Sequence, residues 1–487
     1  MRGFLRHLIR LAGFAVLAAL VILATVYAYE HSGRVALKPW HLVHLDGEFR
    51  AADAQRIKSL DDYRRTEDAL FNQLDARVYG GAQSDDLQNL NRYAAGSRTD
   101  PRALTPDWNR TIELAHPDAR GAALLVHGLT DSPYSMRALA ERMHTRGYWV
   151  VVLRLPGHGT APSGLLYADW RDWSAAVRIA ARHLAAKVGA GRPLLMVGYS
   201  TGAALAVEYA LARAHGEDLP QPSGLVLLSP AIGVSSLAVL ARWRTSFARL
   251  PGLGGLAWTD VGLEYDPYKY VSFALHSADQ IYRLTRRIQD LLDTDKPSAG
   301  FKGLPRILAF QSVADATVST PAVVDAFFRR LAPDGHQLVL FDLNRHAGSR
   351  QLIRPAALTV RENLLQGPPL PFDLTVLTNV DAESIALAEL RRPAQSAEVR
   401  REATGLDWPS GVFSLSHVAL PFPPDDPIYG AVRPPVPKTI YLGRVELLGE
   451  KGLLAVSPET LLRLRHNPFF DYLTRRLDAF LEGTPTQ

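Results

Sequence analysis

The sequence contains no cysteine. That excludes disulfides, thiolate metal sites, cysteine lipidation and a thiol nucleophile, and it suits an oxidising compartment. A strong charge of one sign is also missing: 54 Lys and Arg stand against 49 Asp and Glu, a net charge of +5. With no dense basic run, nucleic acid is not a predicted partner. Internal repeats are absent too. What remains is a chain of 487 residues, 47% hydrophobic and 21% charged. That is enough for a packed body of one large or two ordinary domains.

The N-terminus holds the longest apolar run. Leu11 to Tyr29 carries no charge, with Arg2, Arg6 and Arg10 before it and Glu30 after it. About 19 residues approaches the length of a bilayer-crossing helix, and the arginines orient the N-terminus inward. No A-x-A cleavage site follows. The prediction is an uncleaved anchor over residues 1–30 that holds the body outside the cytoplasm, in the periplasm of a Gram-negative cell. A cleaved signal peptide is the rival. Residues 31–110 form an extension in which Ser59 to Tyr79 has helical spacing (Leu60, Tyr63, Leu70, Leu74). It is expected to pack on the body or to space it from the membrane.

The chain is organised around Pro193 to Tyr209, PLLMVGYSTGAALAVEY. An apolar strand runs into Gly198-Tyr199-Ser200-Thr201-Gly202 and then into an Ala-rich helix. Strand, G-x-S-x-G and helix in that order make a nucleophile elbow. The turn lifts Ser200 above the sheet, and the two glycines let the backbone fold back. Backbone N–H groups at the helix start favour a developing oxyanion.

From Thr111 strands and helices alternate. Strands are predicted at Ala122–Val126, Tyr148–Leu153, Leu194–Val197, Gly224–Leu228, Arg306–Phe310 and Gln337–Leu343. Ser135–Arg146 and Trp170–Lys187 read as helices. This alternation predicts an α/β fold with a mostly parallel sheet and helices on both faces. Residues 111–230 and 304–487 are the two parts of its core. Between them lies an insertion, 231–303, with LPGLGGLAW and EYDPYKY, which is predicted to act as a lid. A second irregular stretch is expected near 345–410, with a strand candidate at Leu374–Val380 and a charged segment at Asp381–Ala403. Val412–Phe422 is strand-like, and Asn467–Leu481 reads as a final amphipathic helix.

A serine nucleophile needs a base, and the base needs an orienting carboxylate. The order expected in such folds is serine, acid, histidine. Asp315, just after a strand, is the acid candidate. Two histidines compete for the base. His346 follows the next strand at ordinary spacing, and His417 ends a later strand-like run. His336 precedes its strand and fits poorly. His127 sits in the turn after Ala122–Val126 and reads as loop-shaping. His158, in LPGHG, reads as structural. Oxyanion donors are expected after that first strand and after the nucleophile, at Leu129 and Thr201.

HGLTDSP, RLPGHG, GYSTG and the Asp315 segment together resemble α/β-hydrolases of the monoacylglycerol lipase, lysophospholipase and carboxylesterase group. That grouping includes serine aminopeptidase-like hydrolases. In this family the catalytic histidine often sits in an S-H-V setting with acidic residues beyond. Ser416-His417-Val418-Ala419-Leu420, with Asp425 and Asp426 further on, is similar. The resemblance implies His417 as the base, with His346 second. It implies a serine ester hydrolase that needs no metal or organic cofactor. With the anchor and the aromatic-rich insertion, a lipid or other apolar ester is the expected substrate. An aminopeptidase-type amide hydrolase, an acyltransferase and a non-catalytic envelope scaffold are the rivals. Dehalogenase and epoxide hydrolase readings fail because Ser200 stands where they need an aspartate.

Overall fold

A computed structural model of the chain describes residues 36–81, 90–233, 254–294, 300–315, 317–347, 353, 355–434, 440–443 and 462–483, with His7, Gly13 and Phe14. The predicted anchor otherwise lies outside the described residues. Among the described residues no helix is long and apolar enough to cross a membrane.

The strands are β1 (Ile112–Leu114), β2 (Gly121–Val126), β3 (Tyr148–Leu153), β4 (Leu194–Tyr199), β5 (Gly224–Leu228), β6 (Trp258–Asp260), β7 (Phe273–Ala274), β8 (Arg306–Ser312), β9 (Gln337–Phe341), β10 (Asp373–Asn379), β11 (Ala386–Arg392) and β12 (Arg400–Asp407). All but β6 and β7 join one sheet in the order β1-β3-β2-β4-β5-β8-β9-β10-β11-β12. From β3 to β10 the neighbours are parallel. β1 is antiparallel at one edge, and β11 and β12 are antiparallel at the other.

The central strands are apolar along their whole length because both faces are covered. Successive β2 side chains alternate between two cores: Leu124 and Val126 enter one, Ala123 and Leu125 the other. The first core is closed by helices α1 (Leu60–Arg77), α3 (Trp170–Val188), α4 (Thr201–Ala214) and α5 (Leu275–Thr294). On the other face sit α2 (Arg137–Thr145) and the last helix, which spans Phe470–Leu481. This sandwich, with a serine turn leaving its middle strand, is the α/β-hydrolase fold.

Two expectations need correction. In the stretch near 345–410, residues 373–407 are not irregular: β10, at the expected strand candidate, and then β11 and β12 extend the sheet. Edge strand β12 is mostly exposed, so its charges follow from its place. The strand-like run ending at His417 is a loop that ends in a short 3₁₀ turn, His417–Ala419. Pro421, Pro423 and Pro424 follow, and proline removes the donors a strand would need.

The extension packs on the body. Ser59 caps α1 by accepting a hydrogen bond from Asp62 N. Leu60 and Tyr63 enter the main core. Glu67, on the same face, accepts from Arg154 Nε and Thr111 Oγ1, both at 2.8 Å. Glu48 binds the Arg154 guanidinium and the Gly157 N–H. Arg154 is fully buried, and two carboxylates from the extension compensate it. The RLPGHG loop is therefore shaped from outside the α/β body.

Candidate active site

Ser200 sits between β4 and α4 with φ 54° and ψ −111°, a conformation costly for any residue with a side chain. Its surroundings enforce it. Ser200 N–H donates to Leu228 O at 2.8 Å, and Ser200 O accepts from Ala204 N and Ala231 N. A Cβ on Gly198 would lie 2.4 Å from Ala203 backbone atoms, and one on Gly202 would lie 2.1 Å from Val126 O. Only glycine permits the strand, the turn and the helix to approach this closely.

Asp315 follows the end of β8. Its Oδ1 accepts two backbone N–H bonds, from Thr317 and Val318, each at 2.8 Å. Its Oδ2 faces His417 Nδ1 at 2.8 Å and accepts from Gln311 Nε2 at 3.2 Å. Burial raises the pKa of this carboxyl. The His417 bond and charge and the two N–H donors outweigh it, and the net shift is downward.

His417 reaches Asp315 from 102 residues away because its loop is fastened over the strand ends. Ser312 Oγ donates to Leu415 O at 2.6 Å. Ser416 Oγ donates to Leu464 O. The Tyr199 ring lies 5.2 Å from the imidazole. Beyond it, buried Asp426 accepts from Ile428 N, Tyr429 N and Tyr134 OH and pairs with Arg137. The acidic residue noted in the sequence thus anchors the segment that follows the histidine.

Ser200, Thr201, Leu129 and His417 line one cavity of about 360 Å³, at the small end of the ligand-site range of roughly 300–1,000 Å³. Thr201 is the first residue of α4, where a helix offers its N–H no internal acceptor. His346 is placed elsewhere. It follows β9 with its N–H on Asn344 Oδ1 at 3.2 Å and does not line this cavity.

The other histidines behave as structural groups. Leu155 N–H donates to His127 Nε2 at 3.1 Å, which leaves Nδ1 to donate to Gly128 O at 2.8 Å. That neutral tautomer ties the loop after β2 to the RLPGHG loop. Burial holds its pKa well below the usual value. Burial likewise takes His158 down to about 3 and His336 to about 4.

Three cavity residues gave no catalytic signal in the sequence. Lys269, from the EYDPYKY segment, pairs with buried Asp131 at 2.9 Å. Tyr270 N–H donates to Thr130 O at 2.8 Å. The segment after β6 thus grips the loop that carries Leu129. Burial raises the Asp131 pKa, and Lys269 opposes the shift. Arg463 is the third, on the segment before the last helix. A second cavity, about 390 Å³, is lined by Arg345, Arg361 and Glu362. The Arg345 and Arg361 guanidinium groups are engaged by Asp342 and Glu362.

The comparisons with known proteins bear on this region. Residues 117–348 match the family described as "Serine aminopeptidase, S33". The thermostable monoacylglycerol lipase of Bacillus sp. (strain H-257) is 34% identical over 115 residues, which are 24% of this chain and 42% of that protein. The chain thus spans less than half of that relative's length. Among solved structures, one from a study of the metagenome-derived lipolytic enzymes LipS and LipT aligns at TM-score 0.39 and 22% identity, over 48% of this chain and 88% of that one. A soluble variant of Saccharomyces cerevisiae monoglyceride lipase aligns at 0.38 and 16%, over 47% and 81%. The family match takes in Ser200 and Asp315 and ends before His417. Over residues 117–348, therefore, the chain is similar to the serine aminopeptidase S33 family.

Proposed function

We propose that this chain is a serine hydrolase of the lipase and esterase type, working through Ser200, His417 and Asp315. One observation carries the reading: His417 and the Ser200 elbow share a cavity, and His417 Nδ1 is bound to the Asp315 carboxylate at 2.8 Å. Asp315 accepts a hydrogen bond from the Nδ1–H, so Nε2 is left as the base. It takes the Ser200 proton as the hydroxyl attacks an ester carbonyl. The Leu129 and Thr201 N–H groups bind the oxyanion, at about 3 kcal/mol for each donor. His417 then protonates the leaving alcohol, and water frees the acid.

An apolar acyl group is the favoured substrate part, because Ala231, Phe273, Ile281 and Val418 line the cavity. The anchor at residues 11–29 belongs to the same reading and would hold the enzyme at a membrane that supplies acyl lipids. The aminopeptidase alternative needs a free carboxylate for the substrate ammonium. Asp131, the acid in the cavity, is occupied by Lys269.

The test is hydrolysis of p-nitrophenyl esters of increasing chain length by the full chain, beside Ser200→Ala. Turnover that rises with acyl length and vanishes in the variant supports the proposal. Inertness on every ester, with cleavage of aminoacyl amides, would overturn it.

A further inference from the structure

Among the described residues the charges around Ser200 do not cancel. Three charged described residues line the cavity: Asp131, Lys269 and Arg463. Lys269 and Asp131 neutralise each other at 2.9 Å. Asp315 lies behind His417, and its oxygens are taken by N–H donors. Arg463 has no hydrogen bond or ion pair among the described residues, and it is exposed, which puts it at the cavity mouth.

The chain that follows it is nevertheless anchored. Leu464 O holds the Ser416 hydroxyl, next to His417. Arg465 is tied to the Tyr265 hydroxyl at 3.0 Å and lies 3.9 Å from Asp266. The two residues that follow Arg463 are thus fastened, Leu464 to the histidine loop and Arg465 to the segment that bears Lys269. From this anchored start the Arg463 guanidinium can offer forked donors suited to phosphate or carboxylate at the cavity mouth.

We infer that Arg463 binds an oxyanion, phosphate or carboxylate, on the alcohol half of the ester, so that the preferred substrate is an anionic acyl ester rather than a neutral one. This rests on the hydrolase reading and names its substrate class. The apolar wall takes the acyl chain, which leaves the charged group at the mouth. The acyl C–O bond breaks as the bond to Ser200 Oγ forms, and the anionic alcohol leaves with the proton from His417.

The experiment compares kcat/KM of the full chain in non-ionic detergent for three esters of one acyl group: 1-lauroylglycerol, its 3-phosphate and lauroyl glycolate. Arg463→Ala and Arg463→Lys are measured beside it. At least one anionic ester should exceed the neutral one by about tenfold, the scale of a hydrogen bond to a charged group. Arg463→Ala should bring that ratio near one, and Arg463→Lys should keep part of it. Which anion gains tells phosphate from carboxylate. Equal or greater activity on 1-lauroylglycerol, or a ratio that Arg463→Ala leaves unchanged, would overturn the inference and leave the hydrolase standing. Inertness on all three would overturn both.

Discussion

Replacing Asp315 with asparagine separates the chemistry from the fold. The asparagine carbonyl can take the place of Oδ1 and keep both 2.8 Å bonds from Thr317 N and Val318 N. Its amide then occupies the Oδ2 position. The reverse flip would aim two amide protons at two backbone donors and is much worse. With the amide facing His417, Nδ1 must accept, and the imidazole proton moves to Nε2. The base can no longer take the Ser200 proton. The same change in other Ser-His-Asp triads lowers kcat about 10⁴-fold, which corresponds to about 5.5 kcal/mol of transition-state stabilisation. The stability change is smaller. One charge-assisted bond is lost and Gln311 Nε2 meets a donor, which together cost roughly 2–3 kcal/mol. The assay is ester turnover beside urea unfolding of the same preparation. A folded protein with kcat down by thousands is expected. Activity within tenfold of wild type would refute the tautomer argument.

Further consequences follow from buried charges. Lys269→Met leaves Asp131 unpaired within electrostatic reach of His417; kcat should fall and the acid limb of the pH profile should move upward, and Asp131→Asn added to it should bring that limb back. A limb that stays put in the single variant would contradict the pairing. Acid should also weaken the fold through buried neutral histidines. His336 has a folded pKa of about 4 against a usual 6.5. Below pH 6.5 the unfolded chain therefore binds a proton the folded chain refuses, and stability is lost as pH falls toward 4. At pH 5 that amounts to about 2 kcal/mol. His336→Gln should shrink the stability difference between pH 7 and pH 5 by this amount, read from urea midpoints; an unchanged difference would count against the buried-neutral assignment.

The sequence made some of this site legible and hid the rest for physical reasons. The elbow was legible because its chemistry is local: two glycines at fixed offsets and a strand-to-helix change force one geometry on Ser200. Asp315 was legible for the same reason, as a turn residue at a strand end. The base was not. Spacing pointed to His346 because it follows the strand after Asp315 at the ordinary interval. β10, β11 and β12 extend the sheet, and the chain returns to the strand ends only at His417. Spacing does not mark such a return, because β11 and the edge strand β12 carry mixed charges and read as surface. The Lys269–Asp131 pair joins residues 138 apart in sequence, so no spacing rule finds it. Asp131 was visible only as part of HGLTDSP. Arg463 had no signal, since an exposed arginine is ordinary until the fold sets it at the mouth of a cavity. The extension gave α1 correctly from its apolar spacing. Its buried Glu67 and Glu48 look like surface charges until Arg154 is seen between them.

The central claim is that His417, and not His346, is the base for Ser200. The most direct test measures kcat/KM on a p-nitrophenyl ester for His417→Ala and His346→Ala in the full chain, with folding checked by circular dichroism. The account predicts loss of turnover by orders of magnitude in His417→Ala and near wild-type turnover in His346→Ala. An active His417→Ala beside an inactive, folded His346→Ala would contradict it.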